Sequence, residues 1–348
     1  MPRKRMGERT FAFKRPPYVW SSGSIVGDVE AAGPLGEKFD LVLEDDTWGE
    51  GSWEKAECKM FEHAVRIALE KCGLETEQLQ CMLGGDLLNQ IVTANYAARQ
   101  LDVPFLGLYG ACSTMAQALL LGSVLIDGGF LGNAACVSSS HFSTAERQYR
   151  FPLEMGTVSP PTAQRTVTGA GCTVLGAQPP ESGGRNITTY NGVRVKEATL
   201  GKVVDMGILD AANMGAAMAP AAASTIMAFL RDTNRTPDML DAIITGDLGV
   251  FGSEMLLELC DDEGIKLAGK HHDCGVMVFS PDQKLNCGGS GCGCPAVVLN
   301  AHILPRISAG EWRQVLFLAT GALMSPTTSL QGESIPGIAH AVLIEKES

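Results

Sequence analysis

The sequence predicts an α/β fold, a five-layer α-β-α-β-α sandwich built from two duplicated halves. The turn Gly84-Gly85-Asp86-Leu87, which closes a short apolar segment, returns as Thr245-Gly246-Asp247-Leu248, with the two aspartates 161 residues apart. Cys112, which opens a long uncharged stretch, has its counterpart in Cys292, 180 residues on, and Gly129 has its own in Gly310, 181 on. Landmarks in the same order at near-equal offsets mark an internal duplication. Each half holds a helix too apolar to face water, so it must lie between layers; packing the halves together buries both helices. Chance coincidence of turns in two unrelated α/β units is the alternative.

The elements follow from local pattern. Short strands are expected near 18–20 and 25–27. Over 53–71, Met60, Phe61, Ala64, Val65, Ala68 and Leu69 recur at helical spacing, and Gly73 ends the run. A strand at 81–83, a helix at 93–100 and a strand broken by Pro104 come next. The uncharged helix after Cys112 is expected to reach about Ile126, and a strand follows at 134–138. In the second half the same grammar gives a helix at 221–231, a strand at 242–245, a buried helix from the turn at 288–292 to about Leu304, and a strand at 315–320. The halves are read as 1–200 and 201–348. A Pro/Gly-rich insertion at about 147–185 is expected over the pocket, and the stretch 147–199 also supplies edge strands that join the halves.

Bulk properties exclude several classes. The chain of 348 residues is 45% hydrophobic and 19% charged, with 40 glycines, as a layered packed protein requires. A net charge of −12 opposes a nucleic-acid partner, and the one basic cluster, Arg3, Lys4 and Arg5, is terminal. Eleven scattered cysteines without a secretory signal do not read as a disulfide framework. No run of about 18 to 20 purely apolar residues is present, so the chain is read as soluble with no transmembrane segment.

The string Phe105-Leu106-Gly107-Leu108-Tyr109-Gly110-Ala111-Cys112-Ser113-Thr114 resembles the nucleophile turn of thiolases and β-ketoacyl synthases. More narrowly, the chain resembles the stage V sporulation protein AD family of endospore-forming bacteria over nearly its whole length. The resemblance rests on Gly85-Asp86-Leu87-Leu88-Asn89-Gln90, Val92-Thr93-Ala94-Asn95-Tyr96, Ser139-Ser140-His141, Thr144-Ala145-Glu146-Arg147-Gln148 and Met218-Ala219-Pro220-Ala221-Ala222-Ala223. It continues through Gly288-Gly289-Ser290-Gly291-Cys292 and Ala319-Thr320-Gly321-Ala322-Leu323. It implies a thiolase-like fold and binding of dipicolinic acid (pyridine-2,6-dicarboxylate), free or as its calcium chelate, without established catalysis. It also implies membership of the spore channel, peripheral attachment at the spore's inner membrane beside other channel subunits, and, by analogy with thiolase-fold proteins, a homodimer paired through sheet edges.

Cys112 is the sharpest candidate. At a strand-to-helix turn the helix dipole favours its thiolate, and the amides of Cys112, Ser113 and Thr114 are expected to be unpaired and able to meet a carboxylate. The bland reading is a small buried cysteine. A condensing enzyme also needs a His, and a second His or an Asn, from the later half. In ketoacyl synthases the His comes soon after the strand matching 242–245, where this chain has Asp247. The Asn opens the last buried helix, where this chain has Ser290. The constellation is broken, which predicts a binding protein rather than an enzyme; an active Cys112-dependent acyltransferase is the rival reading.

The remaining ligand-binding candidates are Asp86 and Asp247 at matched strand ends, Asn89, His141, Arg147 and Arg150. Asn95 is a weaker candidate of the same kind as Asn89. An arginine fork suits a planar dicarboxylate, and the aspartates suit a calcium ion. A cap or turn role for each Asp, a solvated ion pair for the arginines and a hydrogen-bonded structural His are the competing readings. No cofactor is expected. No metal site is expected at His271-His272-Asp273-Cys274, whose side chains alternate in extended chain, or at Cys287, Cys292 and Cys294, which lack paired C-x-x-C knuckles.

Overall fold

The computed structural model describes residues 4–149, 159–180 and 189–347. Ten strands carry the architecture: β1 (Tyr18–Val26), β2 (Met82–Gly85), β3 (Phe105–Gly107), β4 (Asn133–Ser140), β5 (Gly169–Gly176), β6 (Val193–Thr199), β7 (Ala242–Thr245), β8 (His271–Asp273), β9 (Gln314–Ala322) and β10 (Gly337–Lys346). They hydrogen-bond in the order β8-β7-β9-β10-β6-β1-β5-β4-β2-β3, with two short strands added beside β6 and β1. About the β6–β1 junction, held by Tyr18 against Arg194, the order is its own mirror. The directions mirror as well: β3-β2-β4 and β8-β7-β9 are parallel, and each half then runs antiparallel through its two inner strands. That repeat is the duplication expressed in hydrogen bonds. β6 lies on the second half's side of the junction.

Helices cover the halves in layers. The helix α1 (Trp53–Cys72) begins where the Ser52 side chain accepts from the Lys55 amide, and ends at Gly73, whose φ of 70° only glycine adopts without strain. With α2 (Val92–Leu101) it packs Phe61, Ala64, Val65 and Ala97 on the outer face of the first half. On the second half, α5 (Met214–Thr233) and α6 (Gly249–Asp262) bury Ile226, Phe229 and Leu256. Between the halves lie α3 (Thr114–Gly128) and α7 (Gly293–Val298), the latter continuing through a π-turn, Leu299–Ile303, into Leu304–Ala309, while the short α4 (Phe142–Tyr149) follows β4. Met115, Leu119, Val297 and Phe317 form the core between them, each such side chain contributing about 2 kcal/mol by leaving water. The order helix, sheet, helix, sheet, helix is the predicted five-layer sandwich. The stretch Ala111–Gly128 is apolar and long enough to cross a membrane, but 72% of it is buried inside the protein, as expected for the uncharged helix after Cys112.

Three local expectations need correcting. The two short N-terminal strands are one continuous strand, β1. The strands within 147–199 are not edges: β5 sits between β1 and β4, and β6 at the centre of the sheet. The helix expected from 221 begins two turns earlier, capped by the Asn213 side chain, and carries Pro220 inside it. All eleven cysteines are free.

Candidate functional site

Cys112 follows Ala111, held at a left-handed φ of 48° that costs a β-carbon-bearing residue about 1–2 kcal/mol. The bend turns the chain from β3 into α3 and leaves Cys112 buried at the junction of the two halves. Its neighbours come from the second half. Asp247, just past the end of β7, lies against the Cys112 thiol, and Cys292, capping α7, sits beside both. Asp247 is itself fixed. Its Oδ1 accepts from Thr320 Oγ1 at 2.7 Å and its Oδ2 from the Gly291 amide at 3.0 Å.

The electrostatics oppose the expected thiolate. Burial above all, then the charges of Asp247 and Cys292, push the Cys112 thiol well above the ordinary range. The helix end does not compensate, because two of the three amides expected to be vacant are used. The Ser113 amide donates to Gly110 O at 3.0 Å and the Thr114 amide to Ala111 O at 3.2 Å. The Ser113 and Thr114 hydroxyls donate into the same turn, to Gly110 O and Ala111 O. Asp247 is pushed up to about 7, chiefly by burial. The pair is thus a protonated thiol against a carboxyl that holds its own proton near neutrality.

No imidazole meets the sulfur. His141 donates from Nε2 to Asp46 O at 2.6 Å and accepts at Nδ1 from the Ser143 amide, which fixes a neutral structural ring, as burial also favours. His271 bonds Thr245 Oγ1, His302 bonds Lys38 and His340 accepts from the Gly201 amide. His63 and His272 pack on Trp48 and Trp312. All six histidines are committed elsewhere. Asp273 caps two helices, accepting from the Leu248, Gly249 and Val276 amides.

The other candidates separate. Ser290 lines the Cys112 pocket. Asp86 is a turn-and-cap residue, accepting from the Leu88 and Ala94 amides at 2.7 Å each, and is not in the lining. Asn89 is exposed, as is Asn95, whose amide bonds Gln90 O. Arg147 pairs with Glu54 and packs on Trp53, with half its side chain in solvent. Arg150 lies outside the described residues.

Sequence reasoning missed the link between the halves. Ser138 Oγ donates to Cys292 O at 2.8 Å, Cys292 Sγ to Ser139 O at 2.8 Å, and the Gly293 amide to Ser140 Oγ at 3.0 Å. Three consecutive serines of β4 therefore seat the start of α7. Behind them Glu57 is buried, accepting from Ser139 Oγ and Thr144 Oγ1 at 3.0 Å each. Its signal was present: residue 57 falls one turn before Phe61, on the apolar stripe of α1.

The pocket above Cys112 is a cavity of about 60 Å³ bounded by Leu87, Glu146, Tyr149, Met214, Ser290 and Met324 among others. That is room for about two waters. Tyr109 donates to Tyr149, which donates to Leu87 O at 2.5 Å, so hydroxyls close one wall. No Lys, Arg or His is among the described lining residues.

With this geometry in view, residues 7–345 match the family model of stage V sporulation protein AD. The chain belongs to that family. The stage V sporulation protein AD of Bacillus subtilis (strain 168) is 44% identical over 343 residues, covering 99% of this chain and 98% of the relative. Membership ties the chain to sporulation. Among solved structures it is similar to the 3-oxoacyl-[acyl-carrier-protein] synthase III of Aquifex aeolicus VF5, with a TM-score of 0.57, 15% identity, and coverage of 94% of this chain and 99% of that one. It is similar too to OleA of Xanthomonas campestris, with a TM-score of 0.60, 12% identity and coverage of 96% and 99%. Human mitochondrial 3-ketoacyl-CoA thiolase in complex with CoA gives 0.58, 11%, and 97% and 99%. These likenesses show that the family has the thiolase-like fold.

Proposed function

We propose that the chain binds dipicolinic acid, free or as its calcium chelate, without transforming it, and serves its uptake into the developing spore within a channel complex at the inner membrane. The observation that carries the non-catalytic part is Asp247 against Cys112. Burial keeps the Cys112 thiol protonated, and Asp247 in its ionised form opposes both a thiolate and a developing oxyanion. Family membership supports the sporulation setting. The calcium chelate suits the inner pocket better than the bare dianion, since the described lining holds no cation to balance the dianion's charge. A pyridine ring exceeds the closed cavity, so entry requires the flexible Met214 and Met324 side chains to move.

Isothermal titration of the intact chain with dipicolinate, alone and with calcium, is expected to give saturable heat; none in either case overturns the reading. Incubation with acyl-CoA and intact mass measurement is expected to show no adduct. A stable acyl group on Cys112 would instead support the acyltransferase reading.

We also propose a homodimer across the free edge of β3. Leu106 and Tyr109 there, with Tyr96 on α2, are about half exposed, and an unpaired edge strand with apolar side chains invites a second copy. Static light scattering is expected to return about twice the chain mass of 36.8 kDa, and Leu106→Asp to return the monomer. A monomeric wild type rejects the dimer.

A further inference from the structure

Beside the Cys112 pocket, and sharing Glu146 with it, lies an outer cleft of about 330 Å³. Phe142, Ala163, Gln164, Arg165, Lys284 and Asn286 line it. A two-residue strand connects the two spaces. Arg165 and Thr166 pair in parallel with Gly289 and Ser290, and strand alternation sends Thr166 to the inner pocket and Arg165 to the outer cleft.

The cleft carries an unmet demand. The Arg165 guanidinium lies over the Phe142 ring, its Cζ 3.8 Å from the centroid. Its Nε is buried and has no hydrogen-bond partner. Buried donors are nearly always satisfied, so an orphan in a cleft wall points to a ligand group. On the other lip is Lys284, exposed and held by a left-handed φ of 55° after the turn Pro281–Gln283. Gln164 stands between the two spaces, only 4% exposed. Its Nε2 donates to Asp247 O at 2.7 Å and to Gly289 O at 2.9 Å, which leaves its buried Oε1 without a partner. The cleft thus presents two cations and one unpartnered acceptor beside the Glu146 carboxylate, on a chain whose net charge is −12.

We infer that this cleft is a carboxylate-binding subsite, in which the Arg165 fork takes one carboxylate of a small organic anion, Lys284 supplies the second charge, and Gln164 Oε1 accepts from a ligand-bound water. The class fits the donors: a planar guanidinium matches a carboxylate in bidentate fashion, and a lysine adds a point charge. The space fits as well, since it holds about ten waters' volume where the inner pocket holds about two. For the ligand's identity the inference rests on the dipicolinate reading, and it gives that ligand the cationic clamp that Arg147 does not provide.

The test titrates the intact wild type, Arg165→Gln, Arg165→Lys and Lys284→Ala with dipicolinate. Arg165→Gln is expected to weaken binding by about tenfold or more, the value for losing charged hydrogen bonds, with Arg165→Lys recovering part of it. Lys284→Ala, at an exposed position with no role in packing, is expected to weaken binding about threefold and to flatten its salt dependence. In parallel, modification of wild-type Arg165 by phenylglyoxal, read by peptide mass, is measured with dipicolinate and with isophthalate, which keeps both carboxylates and lacks the ring nitrogen. Protection by either anion supports the subsite even if an arginine variant fails to fold. Dipicolinate binding that is unchanged in all three variants and leaves Arg165 unprotected overturns the subsite and spares the dipicolinate reading. Protection by isophthalate without any dipicolinate binding does the reverse. If neither anion protects Arg165, the subsite is wrong.

Discussion

Asp247→Asn is expected to raise the rate at which iodoacetamide alkylates Cys112 at pH 8 by about tenfold, from a wild-type rate far below that of a free thiol. The thiolate is the reacting species, and each unit by which the thiol's pKa falls increases it about tenfold at fixed pH, or about 1.4 kcal/mol. Burial is the larger cause of the elevated value and remains in the variant, so full reactivity is not expected. What the substitution removes is the charge of Asp247, which at pH 8 is mostly ionised given its value of about 7. Asn keeps an oxygen for Thr320 Oγ1 or the Gly291 amide, so the shape of the site survives. Peptide mapping after timed labelling separates Cys112 from the ten other free thiols. Rapid wild-type labelling of Cys112 would mean a thiolate, and the non-catalytic reading would fail with it. Equal slow rates in both proteins would mean that access, not charge, governs the sulfur.

The readable parts of this molecule are those where one residue type has one structural use. Gly73, Gly129 and Gly310 cap helices at φ near 70–80°, and sequence placed all three at turns. Asp86 and Asp247 were legible as a matched pair, but their fates were not. One caps local amides while the other reaches across to Cys112, a difference set by which half's strand end faces the sulfur. β5 left no alternating pattern because every residue of Gly169–Gly176 is buried, so both faces read alike. The helix expected from 221 starts earlier because the turns capped by Asn213 carry it through Pro220, although proline removes an amide donor there. The serines before His141 looked like decoration on a candidate histidine. They are the tie between the halves, and the histidine is the bystander. Arg165 escaped because its value depends on a partner 119 residues away in sequence, Lys284, and on the stacking of Phe142, neither of which spacing reveals.

Glu57→Gln is expected to stabilise the protein at pH 8 and to leave it nearly unchanged at pH 5. Burial, and then the nearby charge of Asp86, raise Glu57 from an ordinary 4.5 to about 8. Between those values the folded chain holds a proton that the unfolded chain has released. Stability tied to this residue is therefore complete below about pH 4.5 and drains away as pH rises through 8, a loss of about 5 kcal/mol for a shift of this size. Glutamine copies the protonated form. Its amide can still meet Ser139 Oγ and Thr144 Oγ1, because hydroxyls either donate or accept. The gain over wild type should thus grow with pH and level off once Glu57 would be fully ionised. Asp86 provides the contrast. It too is raised, to about 6, but its two oxygens each accept a backbone amide, and an asparagine supplies only one such oxygen. Asp86→Asn should accordingly lose about 1–3 kcal/mol at pH 5 for the amide left unpaired, with the loss offset as pH rises through 6, where the wild-type carboxyl ionises at a cost. Thermal melts of the three proteins at pH 5, 6.5 and 8 test both statements. A Glu57→Gln difference that does not change with pH would show that Glu57 is ionised in the fold. The acid pair behind the serine tie would then be held by charge rather than by a retained proton.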